Sequence, residues 1–225
     1  METTMYDMLL QLPLFQGLGK NDFTNILSKV KFHFSTYKAG EKIIAKGEPC
    51  RNLVFLLSGS MIAESDFEEE KFVFGEVLTA PYLIEPFSLF GLHQRFMSTY
   101  IAKTDVSMMT IEKEFLSTEL NKYETFRINF INFLSNGTQH LYERVRRISY
   151  GNSTEKKIVD FLFLFSDLPY GEKIVRIRME DLALLLGCTR NKISLALNNL
   201  EDKKLISLQR MGFKVPALEK LKADW

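Results

Sequence analysis

The chain has 225 residues, of which 46% are hydrophobic and 25% are charged, and its formal net charge is +1. This composition is typical of a folded protein with an ordinary core, and it excludes a disordered, highly charged chain. The apolar runs are too short to span a membrane, and the acidic start lacks the positive flank of a secretion signal. We therefore expect a cytoplasmic protein that has no membrane partner.

Only two cysteines occur, Cys50 and Cys188. They are too few for a disulfide framework, and too few for a four-thiolate iron–sulfur cluster within one chain. We expect both to be reduced packing residues.

The first 120 residues begin with two helical segments, residues 7–14 and 21–30, and then change to short runs typical of β-strands. Turn-forming stretches separate the runs, which read FHFSTY, EKIIAKG, NLVFLLSGSMIAES, KFVFGEV and STYIAKTDVSMMTI. Short antiparallel strands at this spacing predict a barrel or a sandwich. Such domains commonly hold a ligand between their layers or in the barrel mouth.

Residues 121–150 carry the pattern of one long helix with two apolar stripes. The first stripe consists of Phe126, Phe130, Phe133, Gly137, Leu141, Val145 and Ile148. The second consists of Ile131, Leu134, Thr138 and Tyr142. One stripe can pack on the β domain of the same chain, and the other then needs a partner, so we predict a homodimer seam. The alternative is a helix buried wholly within one chain.

The C-terminal part, residues 151–225, follows a predicted hinge at 149–153. Within it, residues 179–214 show two short helical patterns around a Gly-Cys-Thr turn and then a strand pair. This arrangement predicts a winged helix-turn-helix. Residues 143–225 also hold 16 Lys and Arg against 11 Asp and Glu, whereas the residues before them hold 13 against 17. Basic charge collected in this way is the expected electrostatic footprint of phosphate binding.

The second helix of this motif has an apolar inner face, formed by Ile193, Leu197 and Leu200 at i, i+4, i+7 spacing. The outer residues that we predict to bind DNA are Thr189, Arg190, Asn191, Lys192, Ser194, Leu195 and Asn198. In the major groove, an Arg can bind guanine and an Asn can bind adenine, each with two hydrogen bonds. A helical hairpin whose polar face never touches DNA is the structural alternative.

An enzyme is not expected. The sequence has no GxSxG, P-loop, HExxH or Rossmann fingerprint, and His33, His93 and His140 are scattered without the spacing of a metal site. The rival function from another class is a signalling module that binds a small molecule and whose C-terminal helices contact protein rather than DNA.

Four segments of the chain can be compared with known families: LPLF with Gly17-Leu18, GEKII with Gly47-Glu48, LVFLLSG at 53–59, and LLLGCTRNKISLALNNLEDKKLI at 184–206. Together they resemble the Crp/Fnr family of bacterial transcription regulators. The resemblance implies an α+β chain with a β-roll sensor domain (1–120), a dimerisation helix and hinge (121–150), and a winged helix-turn-helix (151–225). It also implies a homodimer on double-stranded DNA with RNA polymerase as a partner. The two-fold symmetry of a dimer predicts an inverted-repeat site.

The family's cyclic-AMP cassette can be compared with this sequence residue by residue. The resemblance implies that members which bind cyclic AMP carry Gly-Glu shortly before a Leu-Phe pair, and Arg followed by Ser or Thr six residues after that Phe. In this chain the Leu-Phe pair is Leu89-Phe90. Here these positions hold Glu85-Pro86 and Phe96-Met97. Hydrogen bonds to charged groups are each worth roughly 1.5 to 3 kcal/mol. Because these polar partners are missing, we expect no useful affinity for cyclic AMP.

The equivalent region is apolar instead, and the predicted effector pocket consists of Phe87, Phe90, Phe96 and Met97. An apolar ligand, a haem or a filled pocket without a ligand all fit this composition. His93 is the candidate haem ligand there, but a single histidine in a surface loop usually has no such role, so no cofactor is predicted.

The helix that would read DNA also departs from the family pattern. The resemblance to the cyclic-AMP receptor type implies Arg-Glu at the helix tip and a second Arg four residues after that Glu, where this chain has Arg190-Asn191 and Leu195. We therefore expect a different operator sequence.

Overall fold

The computed structural model describes residues 9–146 and 153–223 of the chain. They form two compact units: residues 9–62 and 78–139 make up the first, and residues 63–77, 140–146 and 153–223 make up the second. The assignment of residues 63–77 to the second unit differs from the domain bounds predicted from the sequence, in which the first domain runs without interruption to residue 120.

The helices of the described ranges are α1 (Lys20–Lys29), α2 (Pro86–Phe90), α3 (Lys113–Thr118), α4 (Glu124–Arg146), α5 (Thr154–Phe165), α6 (Met179–Leu185), α7 (Arg190–Asp202) and α8 (Leu218–Ala223). Two 3₁₀ turns lie at Pro13–Phe15 and Leu120–Lys122. The strands are β1 (Phe32–Tyr37), β2 (Lys42–Ile44), β3 (Asn52–Ser58), β4 (Ser60–Phe67), β5 (Phe72–Thr79), β6 (Tyr82–Ile84), β7 (Thr99–Ala102), β8 (Val106–Glu112), β9 (Lys173–Ile177), β10 (Ser207–Gln209) and β11 (Gly212–Val215). This is the predicted α+β fold, with an antiparallel β domain, a long helix and a C-terminal helix-turn-helix.

The first unit is an antiparallel β structure with a hydrophobic centre. One sheet has the strand order β1-β8-β3-β6, and a second group pairs β2 with β7, which neighbours β4. Strand β3 reads as a nearly continuous apolar run, because its residues from Leu53 to Leu56 are all buried. The ring of Phe15 lies 5.8 Å from those of Phe23 and Phe55 and 5.5 Å from that of Phe126. Phe126 thereby anchors the start of α4 in this core.

Helix α4 is 23 residues long, which corresponds to about 35 Å at 1.5 Å per residue. Of the first predicted stripe, Phe126 is buried, Phe130 and Phe133 are half-buried, and Gly137, Leu141 and Val145 are exposed. In the second stripe Leu134 is half-buried, while Ile131, Thr138 and Tyr142 are exposed. Ile148 and residues 149–152 of the predicted hinge lie outside the described residues. Within the described residues, the two stripes therefore leave the side chains of Ile131, Leu141, Tyr142 and Val145 uncovered.

The second unit combines the winged helix-turn-helix with a hairpin from the N-terminal half of the sequence. Strand β5 of the hairpin pairs antiparallel with β9, with Phe72 opposite Ile177 and Glu76 opposite Lys173. Strand β9 then pairs with β11, and β11 with β10. Residues 63–77 consequently extend the sheet of the C-terminal unit, which is why they belong to it.

Aromatic packing holds the hairpin against α5. Phe67 stacks on Phe72 at 4.5 Å, and Phe72 meets Phe161 and Phe165 edge-on at 5.4 and 5.0 Å. Such edge-to-face and offset contacts are preferred by aromatic rings. The Phe-rich face of α5 is thus explained by packing.

A buried ion pair lies at the end of this hairpin. Lys173 donates a hydrogen bond to the carboxylate of Glu76 and another to the carbonyl oxygen of Tyr170 at 2.8 Å. Glu76 also accepts from the backbone N–H groups of Asp167 at 3.1 Å and Leu168 at 2.9 Å. Burial raises the pKa of Glu76 and lowers the pKa of Lys173, and the opposite charge of each partner acts against these shifts. The pair joins β5 to β9 in the interior of the unit.

Candidate nucleic-acid interface

The helix-turn-helix is built from α6, a short turn and α7. Gly187 lies in the turn with φ of +59°, a left-handed conformation that favours glycine. The backbone N–H of Cys188 donates to the carbonyl of Ala183 at 2.9 Å and closes the end of α6. Thr189 then caps α7, since its hydroxyl accepts the N–H of Lys192 at 3.4 Å. The turn therefore fixes where α7 begins.

The inner face of α7 is buried as the sequence predicted. Ile193, Leu197 and Leu200, together with Ala196, lie in the hydrophobic core of the second unit. This packing sets the rotation of the helix about its axis. As a result, the residues between them point away from the core.

The seven residues predicted to bind DNA lie at the start and on the outer side of α7. Six of them are exposed, namely Thr189, Arg190, Asn191, Lys192, Leu195 and Asn198. Ser194 is half-buried. Leu195 has 64% of its surface exposed. The structure thus brings these residues to one accessible surface.

Arg190 forms an ion pair that the sequence analysis did not find. Its Nε atom lies 2.9 Å from Oε1 of Glu180 on α6, and the two side chains are 66% and 65% exposed. An exposed pair of this kind contributes at most about 1 kcal/mol, so the guanidinium can exchange this partner for another acceptor. Glu180 lies ten positions earlier in the sequence, and only the helix packing brings it close to Arg190.

The wing, which is the hairpin of β10 and β11, adds a second exposed cation, Arg210. Strands β10 and β11 are joined by a turn that exposes Arg210 and Met211. The turn needs Gly212, because φ is +146° there and a Cβ atom would lie 1.9 Å from the carbonyl oxygen of Val175. The sequence analysis did not single out Arg210, although an Arg two residues before a glycine between two short strands is a recognisable signal.

Cys188 has a packing position in the turn between the helices. Its thiol is half-buried and lies 3.5 Å from the carbonyl oxygen of Leu186 and 3.8 Å from Nζ of Lys157. Lys157 in turn donates to the same carbonyl at 3.1 Å. These contacts tie the turn to α5.

The four residues of the predicted effector pocket lie in different surroundings. Phe87 and Met97 are exposed, and Phe96 is buried with its ring edge-on to Tyr100 at 6.4 Å. Phe90 meets Phe130 of α4 edge-on at 6.1 Å. It lines a cavity of about 280 Å³ whose other apolar walls are Leu116, Phe126, Phe130 and Ile131. His93 is exposed.

A polar cluster that the sequence analysis missed lies beside these residues. The carboxylate of Glu85, which is 7% exposed, accepts four hydrogen bonds. Its Oε2 accepts from the Ser88 hydroxyl and the Met97 N–H, both at 2.8 Å, and its Oε1 accepts from the Ser98 N–H at 3.0 Å and the Tyr100 hydroxyl at 2.9 Å. The available signal was an acidic residue placed between an apolar strand and an apolar helix.

In the part of the chain that the structure describes, no group of three or more His, Cys, Asp or Glu residues is arranged to hold a metal ion. No helix of the same ranges is both long enough and apolar enough to cross a membrane.

Two family models match the chain. The model for a cyclic nucleotide-binding domain matches residues 34–123, and the model for a Crp-like helix-turn-helix domain matches residues 156–224. Together they cover more than two thirds of the chain. A sensor-type β domain followed by an exposed helix-turn-helix defines the class of two-domain transcription regulators. Within that class, the chain belongs to the Crp/Fnr family.

Several solved structures are similar to this chain at low sequence identity. The c-di-GMP responsive global regulator CLP of Xanthomonas campestris is 16% identical with a TM-score of 0.52, and the match covers 88% of this chain and 99% of that one. A transcriptional regulator from Thermotoga maritima is 18% identical with a TM-score of 0.50, covering 57% and 98% of the two chains. The catabolite activator protein of Thermus thermophilus is 18% identical with a TM-score of 0.49, covering 94% and 97%. No match was found among curated protein sequences.

Proposed function

We propose that this protein is a homodimeric transcription regulator that binds an inverted-repeat DNA site through α7 and is not controlled by cyclic AMP. The observation that carries the proposal is the outer face of α7, where cationic and amide side chains lie exposed on a helix whose opposite face is fixed in a core. We expect it to act in the cytoplasm, where RNA polymerase is the partner that the family resemblance implies.

On this surface Arg190 is assigned to guanine, Asn191 to adenine or a phosphate, and Leu195 to a thymine methyl. Thr189 and Lys192 are assigned to phosphates and helix capping. The ion pair with Glu180 supports the assignment of Arg190, because it holds the guanidinium at the tip of α7 and is weak enough to open. The wing residue Arg210 is a further candidate for phosphate contact.

The uncovered apolar surface of α4 supports a homodimer. Ile131, Leu141, Tyr142 and Val145 each expose about half of their surface or more. If α4 of a second copy packs against this surface, the apolar faces of both helices become buried, as in a two-fold interface. Two α7 helices related by that axis would then reach half-sites about 34 Å apart.

The loss of cyclic AMP control is supported by the residues at the positions where the family holds the phosphate. Phe96 and Met97 offer no side-chain charge or hydroxyl there, and Met97 is exposed. The nearby Arg95 donates to the carbonyl oxygen of Gly47 at 2.7 Å instead. Saturable micromolar binding of cyclic AMP in a calorimetric titration would contradict this part of the proposal.

Selection of genomic DNA fragments by the full-length protein, followed by a shift assay at several salt concentrations, tests the DNA-binding proposal. Arg190→Ala is expected to weaken binding to the selected site by about 1 to 3 kcal/mol, with loss of preference at one base pair in each half-site. Arg51→Ala is the matched control, because it removes an exposed arginine from the first unit. Equal affinity of Arg190→Ala and the parent protein would contradict the assignment. A complete lack of salt-sensitive DNA binding would favour the signalling module whose C-terminal helices contact protein.

A further inference from the structure

Four hydrogen-bond donors converge on the buried carboxylate of Glu85, and they come from separate places in the first unit. Ser88 belongs to α2, Tyr100 belongs to β7, and Met97 and Ser98 precede that strand. Their distances to the two carboxylate oxygens all lie between 2.8 and 3.0 Å. The cluster therefore joins the start of α2 to the approach to β7.

None of these four partners carries a positive charge. Two are consecutive backbone N–H groups and two are hydroxyls that act as donors to the carboxylate. Adjacent backbone N–H groups and hydroxyl donors are the groups with which proteins commonly surround phosphate, sulfate and carboxylate ions. A set of donors that all face one point is suited to a negatively charged guest and unsuited to a neutral amide.

The backbone at Glu85 is consistent with a side chain that is held firmly. Its φ is +36° and its ψ is 53°, a left-handed conformation that an L-residue with a side chain seldom adopts. Such a conformation persists where the surroundings over-determine it. The four hydrogen bonds provide that constraint.

We infer that the N–H groups of Met97 and Ser98 and the hydroxyls of Ser88 and Tyr100 form an anion-binding cradle, and that the Glu85 carboxylate is its built-in occupant. A small external oxyanion is excluded while Glu85 is in place, since it would compete for the same donors and would be repelled by the carboxylate charge. Removal of the carboxylate opens the site to inorganic phosphate or sulfate.

This inference rests on the proposed absence of cyclic AMP control and gives it a physical cause. A phosphate-bearing effector would have to displace a carboxylate that is already bound to four donors. The inference is independent of whether the chain binds DNA.

The test compares the full-length parent protein with Glu85→Gly, which removes the carboxylate and suits the left-handed backbone. Each protein is titrated with inorganic phosphate and with sulfate, and chloride at equal ionic strength is the control. We expect phosphate or sulfate to raise the thermal midpoint of Glu85→Gly saturably and by more than that of the parent protein in the same salt, because the parent protein shows only the general stabilisation that these salts give to any folded protein. Tyr100→Phe in the Glu85→Gly background is expected to weaken this binding about tenfold, as for one lost hydrogen bond to a charged group.

A folded Glu85→Gly protein whose midpoint rises no more with phosphate or sulfate than that of the parent protein would overturn the inference. If Glu85→Gly does not fold in chloride, phosphate is expected to restore folding, and failure to do so counts against the cradle. Glu85→Gln provides a second measurement, because its NH₂ group would face donors and should lower the thermal midpoint more than Glu48→Gln at an exposed site. An equal midpoint in these two variants would also overturn it. Cyclic AMP binding by the parent protein would instead contradict the proposed function.

Discussion

Two buried carboxylates, Glu76 in the second unit and Glu85 in the first, are kept in the interior by different means. Glu76 has a buried cation, Lys173, and two backbone donors. Glu85 has four neutral donors. The difference shows that a buried acid can be retained either by charge compensation or by complete hydrogen bonding. The two sites should respond differently when one partner is removed.

The largest effect is expected from the loss of the buried cation. Lys173→Met leaves the Glu76 carboxylate buried without its counter-ion, and should lower the free energy of unfolding by about 3 to 5 kcal/mol. Urea unfolding of the full-length protein measures this. Lys31→Met, at an exposed position, is the control and should change it little.

The double variant Glu76→Gln/Lys173→Met makes the comparison sharper. It removes both charges and retains a side-chain acceptor for one of the backbone N–H groups, so it should be more stable than Lys173→Met alone. If the double variant is the less stable of the two, charge compensation is not what Lys173 supplies.

A smaller effect is expected at Glu85, because the loss of one donor leaves three. Tyr100→Phe removes one hydrogen bond to a charged acceptor and should lower the free energy of unfolding by about 1.5 to 3 kcal/mol. The same urea experiment measures the change. A loss as large as that of Lys173→Met would mean that the four donors act as a single indivisible unit, and the contrast between the two sites would fail.

The smallest effect concerns the two thiols, of which Cys50 is buried and Cys188 is half-buried. Burial raises the pKa of Cys50 to about 11 from the ordinary value of 9.0. The native thiol therefore stays protonated below that pH, while the unfolded thiol ionises near pH 9, so the stability contributed by Cys50 is full below pH 9 and is lost as pH rises towards 11. Cys50→Ala should show a shallower loss of stability across this range in urea titrations, once corrected for other groups by comparison with Cys188→Ala.

Labelling by a thiol reagent at pH 8 gives an independent reading of the same pair. Cys188 is half-buried and should react first, whereas Cys50 is 2% exposed and should react only as the protein opens. Equal labelling rates would contradict the assigned burial.

The elements that were predictable are those whose signal is local. The inner face of α7 follows from the 3.6-residue spacing of Ile193, Leu197 and Leu200, and all three are buried. The turn before it follows from Gly187, which adopts a positive φ. The exposure of Arg190 and Asn191 then follows, since residues between buried positions must lie outside. The DNA-binding role of this face remains a prediction.

The parts that were not predictable depend on contacts between distant residues. The pairing of β5 with β9 joins residues about one hundred positions apart, and each strand alone gives the same pattern whichever partner it has. The ion pair between Arg190 and Glu180 depends on the packing of two helices. The predicted pocket residues were grouped because they occupy the region equivalent to the cyclic-AMP cassette, and only the structure shows that Phe96 is buried while Phe87, Phe90 and Met97 are exposed.

Glu85 shows both what the sequence determined and what only the tertiary structure decided. Its sequence position showed that the residues expected around a cyclic phosphate were replaced, because residue identity and spacing are written in the chain. That its carboxylate accepts four hydrogen bonds was decided by the tertiary structure, which brings Ser88, Met97, Ser98 and Tyr100 to within 3.0 Å. The sequence by itself determined the family, the apolar faces of the helices, and the replacement of the side chains that would hold cyclic AMP in the family. The fold alone decided which donors meet which acid, because hydrogen bonds act only over such short distances and their partners are chosen by packing.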